Sequence, residues 1–313
     1  MGRQWVGRRW AALLAAGLAV LVLLVAGCSG SGGAGDGDGG GGGLRVVATT
    51  TQVADLAANV GGDRVQVTSL LKPGIDAHDY EPSPADIDAI ARADLVVQNG
   101  VGLEEWLGDT IESSGFAGPV VDASQGVRLR QVDGEADPHI WQDPRNAQRM
   151  AANIERGLAA AEPAAATAFA ANLTAYTREL EALDAEVARQ VDSLANKKVV
   201  TNHDAFHYYL DRYGLELVGS VIPSFDSSAE LSGRDIRDLV AKIRATGVKA
   251  IFSETTLPPK AAETIAAEAG VKVVTGEDAL YGDALGPPGS DGDTYLKMIR
   301  HNTATFVSSL SGS

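Results

Sequence analysis

Cysteine occurs once in this 313-residue sequence, as Cys28. A single thiol excludes an intramolecular disulfide framework and any cysteine-rich zinc module. Basic residues are also scarce: 26 Lys and Arg stand against 41 Asp and Glu, a formal charge of −15. Nucleic-acid binding needs clustered Lys and Arg to displace phosphate counterions, so that class is excluded. No His-Glu-x-x-His, Gly-x-Ser-x-Gly or Gly-x-x-x-x-Gly-Lys-Ser/Thr stretch occurs, which removes three common catalytic and phosphate-binding signatures. Aromatic residues make up 5% of the chain and charged residues 21%, so it is neither aromatic-rich nor of disordered composition. What is present is 45% hydrophobic. Its length suits one very large domain or two of about 150 residues.

The N-terminus indicates where the protein resides. Arg3, Arg8 and Arg9 precede an uncharged apolar run from Ala11 to Ala26. That run approaches membrane-spanning length, but its flanks are those of a secretory signal. It ends in Val25-Ala26-Gly27-Cys28, which resembles the bacterial lipobox, where the chain is cleaved before a lipidated cysteine. Residues 1–27 are therefore expected to be a signal peptide, with Cys28 as the point of lipid attachment. After Cys28, residues 29–43 are Ser, Gly, Ala and two Asp, so 28–43 is expected to be the lipidated cysteine and a flexible tether. Cleavage removes three arginines and no acids, taking the formal charge from −15 to −18. The folded body is expected to be extracytoplasmic and anchored to the cell membrane.

Beyond Leu44 the chain alternates strand-like and helix-like segments, which predicts right-handed βαβ units and parallel sheets. In the first half, Arg45–Thr50, Arg64–Leu71, Leu95–Gln98 and Pro119–Ala123 read as strands. Helices are expected over Val53–Val60, Pro84–Ala93, Leu103–Glu112 and Asp143–Ala161. The second half repeats the grammar, with strands at Lys198–Asn202, Leu215–Ile222, Ala250–Ser253 and Val271–Thr275. Helices are expected there over Ala205–Tyr213, from Ser232 to about Thr246, over Pro259–Ala269 and from about Asp293 to Leu310. Ser232 with Asp235 has the spacing of a helix-opening cap. Between the halves, Ala164–Leu194 contains no Gly or Pro, and Phe169, Leu173, Tyr176, Leu180, Leu183, Val187 and Val191 recur at helical spacing. A rigid bridge between two α/β lobes fits this stretch better than a coiled-coil helix. The expected organisation is thus a first lobe over 44–163, a linking helix over 164–194 and a second lobe over 195–313.

Three of the five histidines fall where strands give way to loops, the usual ligand position in open α/β sheets. His78 lies in Gly74-Ile-Asp-Ala-His-Asp-Tyr-Glu-Pro82, His139 in Asp137-Pro-His-Ile-Trp-Gln-Asp-Pro144, and His203 in Thr201-Asn-His-Asp204. Each has an Asp within two residues, and metal-bound imidazoles commonly lean on such a carboxylate. His207, expected inside a helix, and His301, with no acid nearby, read as structural.

These motifs, with Asn99-Gly-Val-Gly-Leu-Glu-Glu-Trp106 and the lipobox, resemble the zinc/manganese solute-binding lipoproteins of bacterial ABC transporters. The resemblance runs from Leu44 to Leu310. It implies two lobes, each a four-stranded parallel sheet flanked by helices, joined by one long helix with the metal between them. By position it implies His78, His139 and His203 as ligands, and Asp283 in Leu280-Tyr-Gly-Asp-Ala-Leu285 as the fourth. The residues alone do not distinguish Asp283 from Asp226 or Asp278.

The implied role is capture of a divalent metal and delivery to an ABC permease in the same membrane, by a monomer without enzymatic activity. Imidazole donors suit Zn²⁺, and a bidentate Asp admits Mn²⁺. Within the family, a third-position His leans to zinc, so Zn²⁺ is the expected cargo and Mn²⁺ the alternative. Many zinc members carry a His-rich loop before the second ligand, whereas Leu129–Ala136 has no His and offers only Asp133 and Glu135 as acids. Competing readings are a zinc hydrolase using Glu254 as base, an adhesin-type lipoprotein, and a binder of chelated metal.

Overall fold

A computed structural model describes residues 43–132, 134–229 and 231–311. The expected signal peptide, Cys28 and nearly all of the tether lie outside those residues, as does Asp133. The first half contributes β1 (Leu44–Ala48), α1 (Thr51–Gly61), β2 (Val65–Ser69), α2 (Pro84–Ala91), β3 (Leu95–Gln98), α3 (Leu107–Ser114) and β4 (Val120–Asp122). Its strands pair in parallel in the order β2-β1-β3-β4. A small antiparallel hairpin, β5 (Gln131–Val132) with β6 (Glu135–Ala136), follows where the sequence suggested only a loop. Then come α4 (Pro144–Ala161) and the long α5 (Ala166–Asp192).

The second half contributes β7 (Lys198–His203), α6 (His207–Tyr213), β8 (Glu216–Ile222), α7 (Gly233–Thr246), β9 (Ala250–Phe252), α8 (Lys260–Ala269), β10 (Lys272–Val274) and α9 (Tyr295–Ser311). Its sheet is again parallel, in the order β10-β9-β7-β8. Both sheets therefore place their earliest strand centrally, and crevices open at the carboxyl ends of β1 and β7. The apolar strands Leu95–Val97 and Ala250–Phe252 are buried throughout, as sheets covered by helices on both faces require.

Capping explains several helix starts. Ser83 with Asp86 opens α2, and Ser232 with Asp235 opens α7, each pair exchanging side-chain and backbone hydrogen bonds. Asp143 caps α4 from outside rather than joining it, because Pro144 takes the first helical position. The helix expected from Leu103 begins only at Leu107. Gly100, Val101 and Gly102 all have positive φ, at 88°, 60° and 77°, and the tight turn they make displaces the helix start.

The linking helix is 27 residues long, or about 40 Å at 1.5 Å per residue. It is shorter than expected because Pro163–Ala165 form a separate 3₁₀ turn and Ser193 ends it. Phe169, Tyr176, Leu180, Leu183, Val187 and Val191 form its buried stripe, as the periodicity indicated. That stripe packs on α1 and α4 from the first half and on α6 and α9 from the second. One apolar cluster consequently runs from Val46 and Leu56 through the linking helix to Val199 and Phe252.

Candidate metal centre

His78, His139, His203 and Asp283 converge although they are widely separated in sequence, with one donor atom from each lying within 4.8 Å of all the others. His78 Nε2 is 3.1 Å from His139 Nε2. The Asp283 carboxylate reaches both remaining rings, with Oδ1 3.4 Å from His139 Nε2 and Oδ2 3.3 Å from His203 Nε2. Ligands about 2.05 Å from a tetrahedral ion stand about 3.3 Å apart, so these separations match a first coordination shell. His139, His203 and Asp283 are fully buried. Among the described residues, His203 Nε2 and both Asp283 oxygens have no hydrogen-bond partner. Buried polar atoms left so are costly, and a cation at their centre would satisfy them all.

The fold presents each donor from a strand end or the loop beyond it. His78 sits in the long loop between β2 and α2, and His139 precedes the 3₁₀ turn Ile140–Gln142 that leads into α4. His203 is the last residue of β7 itself, one step earlier than the loop position the sequence suggested. Asp283 follows β10, in a segment whose Leu280 forms a parallel bridge with Glu254. The expected alternatives, Asp226 and Asp278, are not among the four residues brought together.

Carboxylates orient two of the rings, in one case not the one expected. Asp137 Oδ1 accepts from His139 Nδ1 at 2.8 Å and from its backbone N–H at 3.0 Å. Asp76 instead takes the backbone N–H of His78, at 2.9 Å, and accepts from Ser227 across the cleft. Asp204 turns away from His203 to accept from Ser220. The partner of His203 is Glu254, whose Oε1 accepts from Nδ1 at 2.8 Å. His207, expected to be structural, places Nδ1 3.2 Å from the Asp204 carbonyl and 3.5 Å from Asp137 Oδ2, beside the support of His139. His301 is structural as expected, its Nε2 lying 2.9 Å from the Ala279 carbonyl.

Electrostatics in the metal-free protein follow from these contacts. Burial disfavours the charged form of His139, but the hydrogen bond to Asp137 and the nearby Asp283 carboxylate outweigh it and hold its pKa up at about 9. Burial likewise opposes His203, yet the charges of Glu254 and Asp283 raise it well above the usual imidazole range. Asp283 runs the other way: despite burial, the two imidazoles hold its carboxyl well below the ordinary carboxylate range. His78, desolvated and facing two other histidines, is lowered.

Several supporting residues gave no individual signal in the sequence. Asn99 donates to the Pro138 carbonyl at 3.0 Å, steadying the residue before His139. The buried Glu104 closes the Asn99–Trp106 turn by accepting from the backbone N–H groups of Asn99 and Gly100, at 2.7 and 3.1 Å. Phe225, in the loop after β8, packs against both His139 and His207 with ring centroids 6.0 and 5.8 Å away. Only membership of a recurring motif marked Asn99 and Glu104.

Comparison with known proteins identifies the family and the fold. Residues 46–309 match the family model described as zinc-uptake complex component A, periplasmic. The chain is 33% identical over 301 residues to a manganese-binding lipoprotein of Halalkalibacterium halodurans, covering 94% of this chain and 97% of that protein. It is also 33% identical over 273 residues to a zinc-binding protein of Treponema pallidum, covering 85% and 88% respectively. The solved periplasmic zinc-binding protein of Treponema pallidum superposes with a TM-score of 0.79 at 30% identity, covering 86% of this chain and 99% of that one.

Proposed function

The chain belongs to the zinc-uptake complex component A family, and from that membership we propose that it is the extracytoplasmic solute-binding lipoprotein of an ABC importer for a divalent transition metal. The observation that carries this reading is the buried convergence of His78, His139, His203 and Asp283 on one point. Cys28 would hold the lipid anchor, and a permease in the same membrane would receive the ion. We take the organisation to be a lobe over 44–163, a linking segment over 164–194 that carries the helix Ala166–Asp192, and a lobe over 195–313.

Zn²⁺ is the proposed cargo, because three imidazoles and one carboxylate suit a closed four-coordinate zinc site. Mn²⁺ is the alternative. Both Asp283 oxygens face ring nitrogens, at 3.4 and 3.3 Å, so a bidentate carboxylate could raise the coordination number. The relatives carry names of both metals.

Capture fits better than hydrolysis. A catalytic zinc site needs an open position and a base to activate water. Glu254, the candidate base, already accepts from the backbone N–H and Nδ1 of His203, at 3.1 and 2.8 Å. Both contacts fall on Oε1, which is thereby committed to orienting a ligand. Metal analysis of untagged protein, followed by Zn²⁺ and Mn²⁺ competition titrations on wild type, His203→Ala and Asp283→Ala, tests the proposal. One tightly bound ion in the wild type, and much weaker but still measurable binding in both variants, is expected. Unaltered binding in both would overturn the site assignment.

A further inference from the structure

The carbonyl oxygen of Gly282, the residue before Asp283, is a meeting point for first-half side chains. Trp141 Nε1 and Gln142 Nε2 each donate to it at 3.1 Å, and Gln52 Nε2 donates at 3.4 Å. A carbonyl offers two lone pairs, so three converging donors fix its place more firmly than an ordinary loop peptide requires. All three side chains are fully buried. On the far side of Asp283, the backbone N–H of Leu285 donates to Thr51 Oγ1 at 2.8 Å. The ligand residue is thus bracketed by two ties to the first half of the chain.

Trp141 and Gln142 lie in the 3₁₀ turn that follows His139. Gln52 lies in the first turn of α1, at the end of the central strand β1. Tyr281, just before the bracket, is held on its other side by Asn302, which accepts from its N–H at 2.9 Å and donates to its carbonyl at 2.8 Å. With both flanks pinned, the Asp283 carboxylate has little freedom to leave the point faced by His139 and His203.

We infer that Gln52, Trp141 and Gln142 are positioning residues for the metal ligand Asp283, fixing its carboxylate by clamping the preceding carbonyl. The inference rests on Asp283 being a ligand. A single turn then serves two ligands, carrying His139 and aiming Asp283 from the opposite half.

A double-mutant cycle read by Zn²⁺ competition titration tests it. Gln52→Leu with Gln142→Leu removes two donors at nearly constant volume. In the wild-type background this pair should lower Zn²⁺ affinity about ten-fold or more, the usual scale for outer-shell support. In the Asp283→Ala background it should change affinity less than about two-fold, since no carboxylate remains to be positioned. Equal losses in the two backgrounds, or no loss in the first, would overturn the inference. If Asp283→Ala alone binds like wild type, the ligand assignment has failed instead. Trp141→Phe, which deletes one donor and keeps a ring in place, supplies the same comparison should the double variant not fold.

Discussion

Glu254 and His203, fifty-one positions apart, are joined twice: one carboxylate oxygen accepts from the backbone N–H at 3.1 Å and from ring Nδ1 at 2.8 Å. The double contact fixes both the tautomer and the orientation of the imidazole, leaving Nε2 for the ion. Glu254→Gln keeps an acceptor but removes the charge, and should weaken Zn²⁺ binding about ten-fold. Glu254→Ala should weaken it further. Chelator-competition titrations would measure both, and unaltered affinity in the alanine variant would show that His203 needs no such support.

Metal binding should be coupled to proton release well above the ordinary imidazole range. His139, at about 9, and His203, raised by Glu254 and Asp283, are both shifted toward the protonated form when no metal is bound. An ion binds the neutral rings, so it must expel those protons, and its apparent affinity is lower wherever they are present. At pH 7, Zn²⁺ binding should release at least one proton, and affinity should climb as pH rises toward about 9. Calorimetry in buffers of differing ionisation enthalpy counts the protons directly. Proton-neutral binding at pH 7 would contradict this ionisation pattern.

Asp55 supplies a separate pH dependence of stability. It accepts from the N–H of Tyr295, the first residue of α9, at 3.1 Å, so a side chain on α1 supports the start of the terminal helix. Burial raises its pKa to about 6 from a usual value of 3.8. The unfolded chain loses this proton first, so the folded state binds more protons between those values. The contribution to stability is full below pH 3.8 and is lost as pH rises through about 6. About two units correspond to roughly 3 kcal/mol at most. Asp55→Asn, which keeps an acceptor for Tyr295, should flatten the fall in melting temperature between pH 4 and pH 7 in chelator-treated protein. An unchanged slope would place that pH dependence elsewhere.

What was legible in the sequence was whatever repeats locally. The strand and helix grammar, the Ser232–Asp235 cap and the apolar stripe of the linking helix all follow from periods of a few residues, and all are present. The three histidines stood out because each sits beside acids at a strand end. Their actual partners were less legible, since Asp204 lies next to His203 in sequence yet bonds Ser220, while Glu254 comes from a neighbouring strand end. Pairing across a parallel sheet is set by strand order, which no local pattern encodes. The Gly282 clamp was invisible for the same reason, joining positions 140 and 230 residues apart.

Gly282 shows how closely those two supports approach each other. A Cβ built there would stand 2.0 Å from Glu254 Oε2, a separation no structure tolerates. The constraint is space rather than backbone conformation, since Gly282 is not among the positive-φ glycines. Alanine would be accepted only if Glu254 swung away from His203 or the Gly282 carbonyl withdrew from Trp141 and Gln142. Either movement disturbs a ligand. Gly282→Ala should therefore lower Zn²⁺ affinity at least about ten-fold, and crowding of a packed interior should destabilise the metal-free protein by about 1–3 kcal/mol. Gly108→Ala is the matched control: it lies in α3 with nothing among the described residues within 4 Å of its would-be Cβ, so binding should be unaffected. Helix propensity there favours alanine by up to about 1 kcal/mol. Thermal melts and Zn²⁺ titrations of the two variants decide the matter. Wild-type affinity in Gly282→Ala would mean that neither Glu254 nor the clamp governs how the site holds its ion.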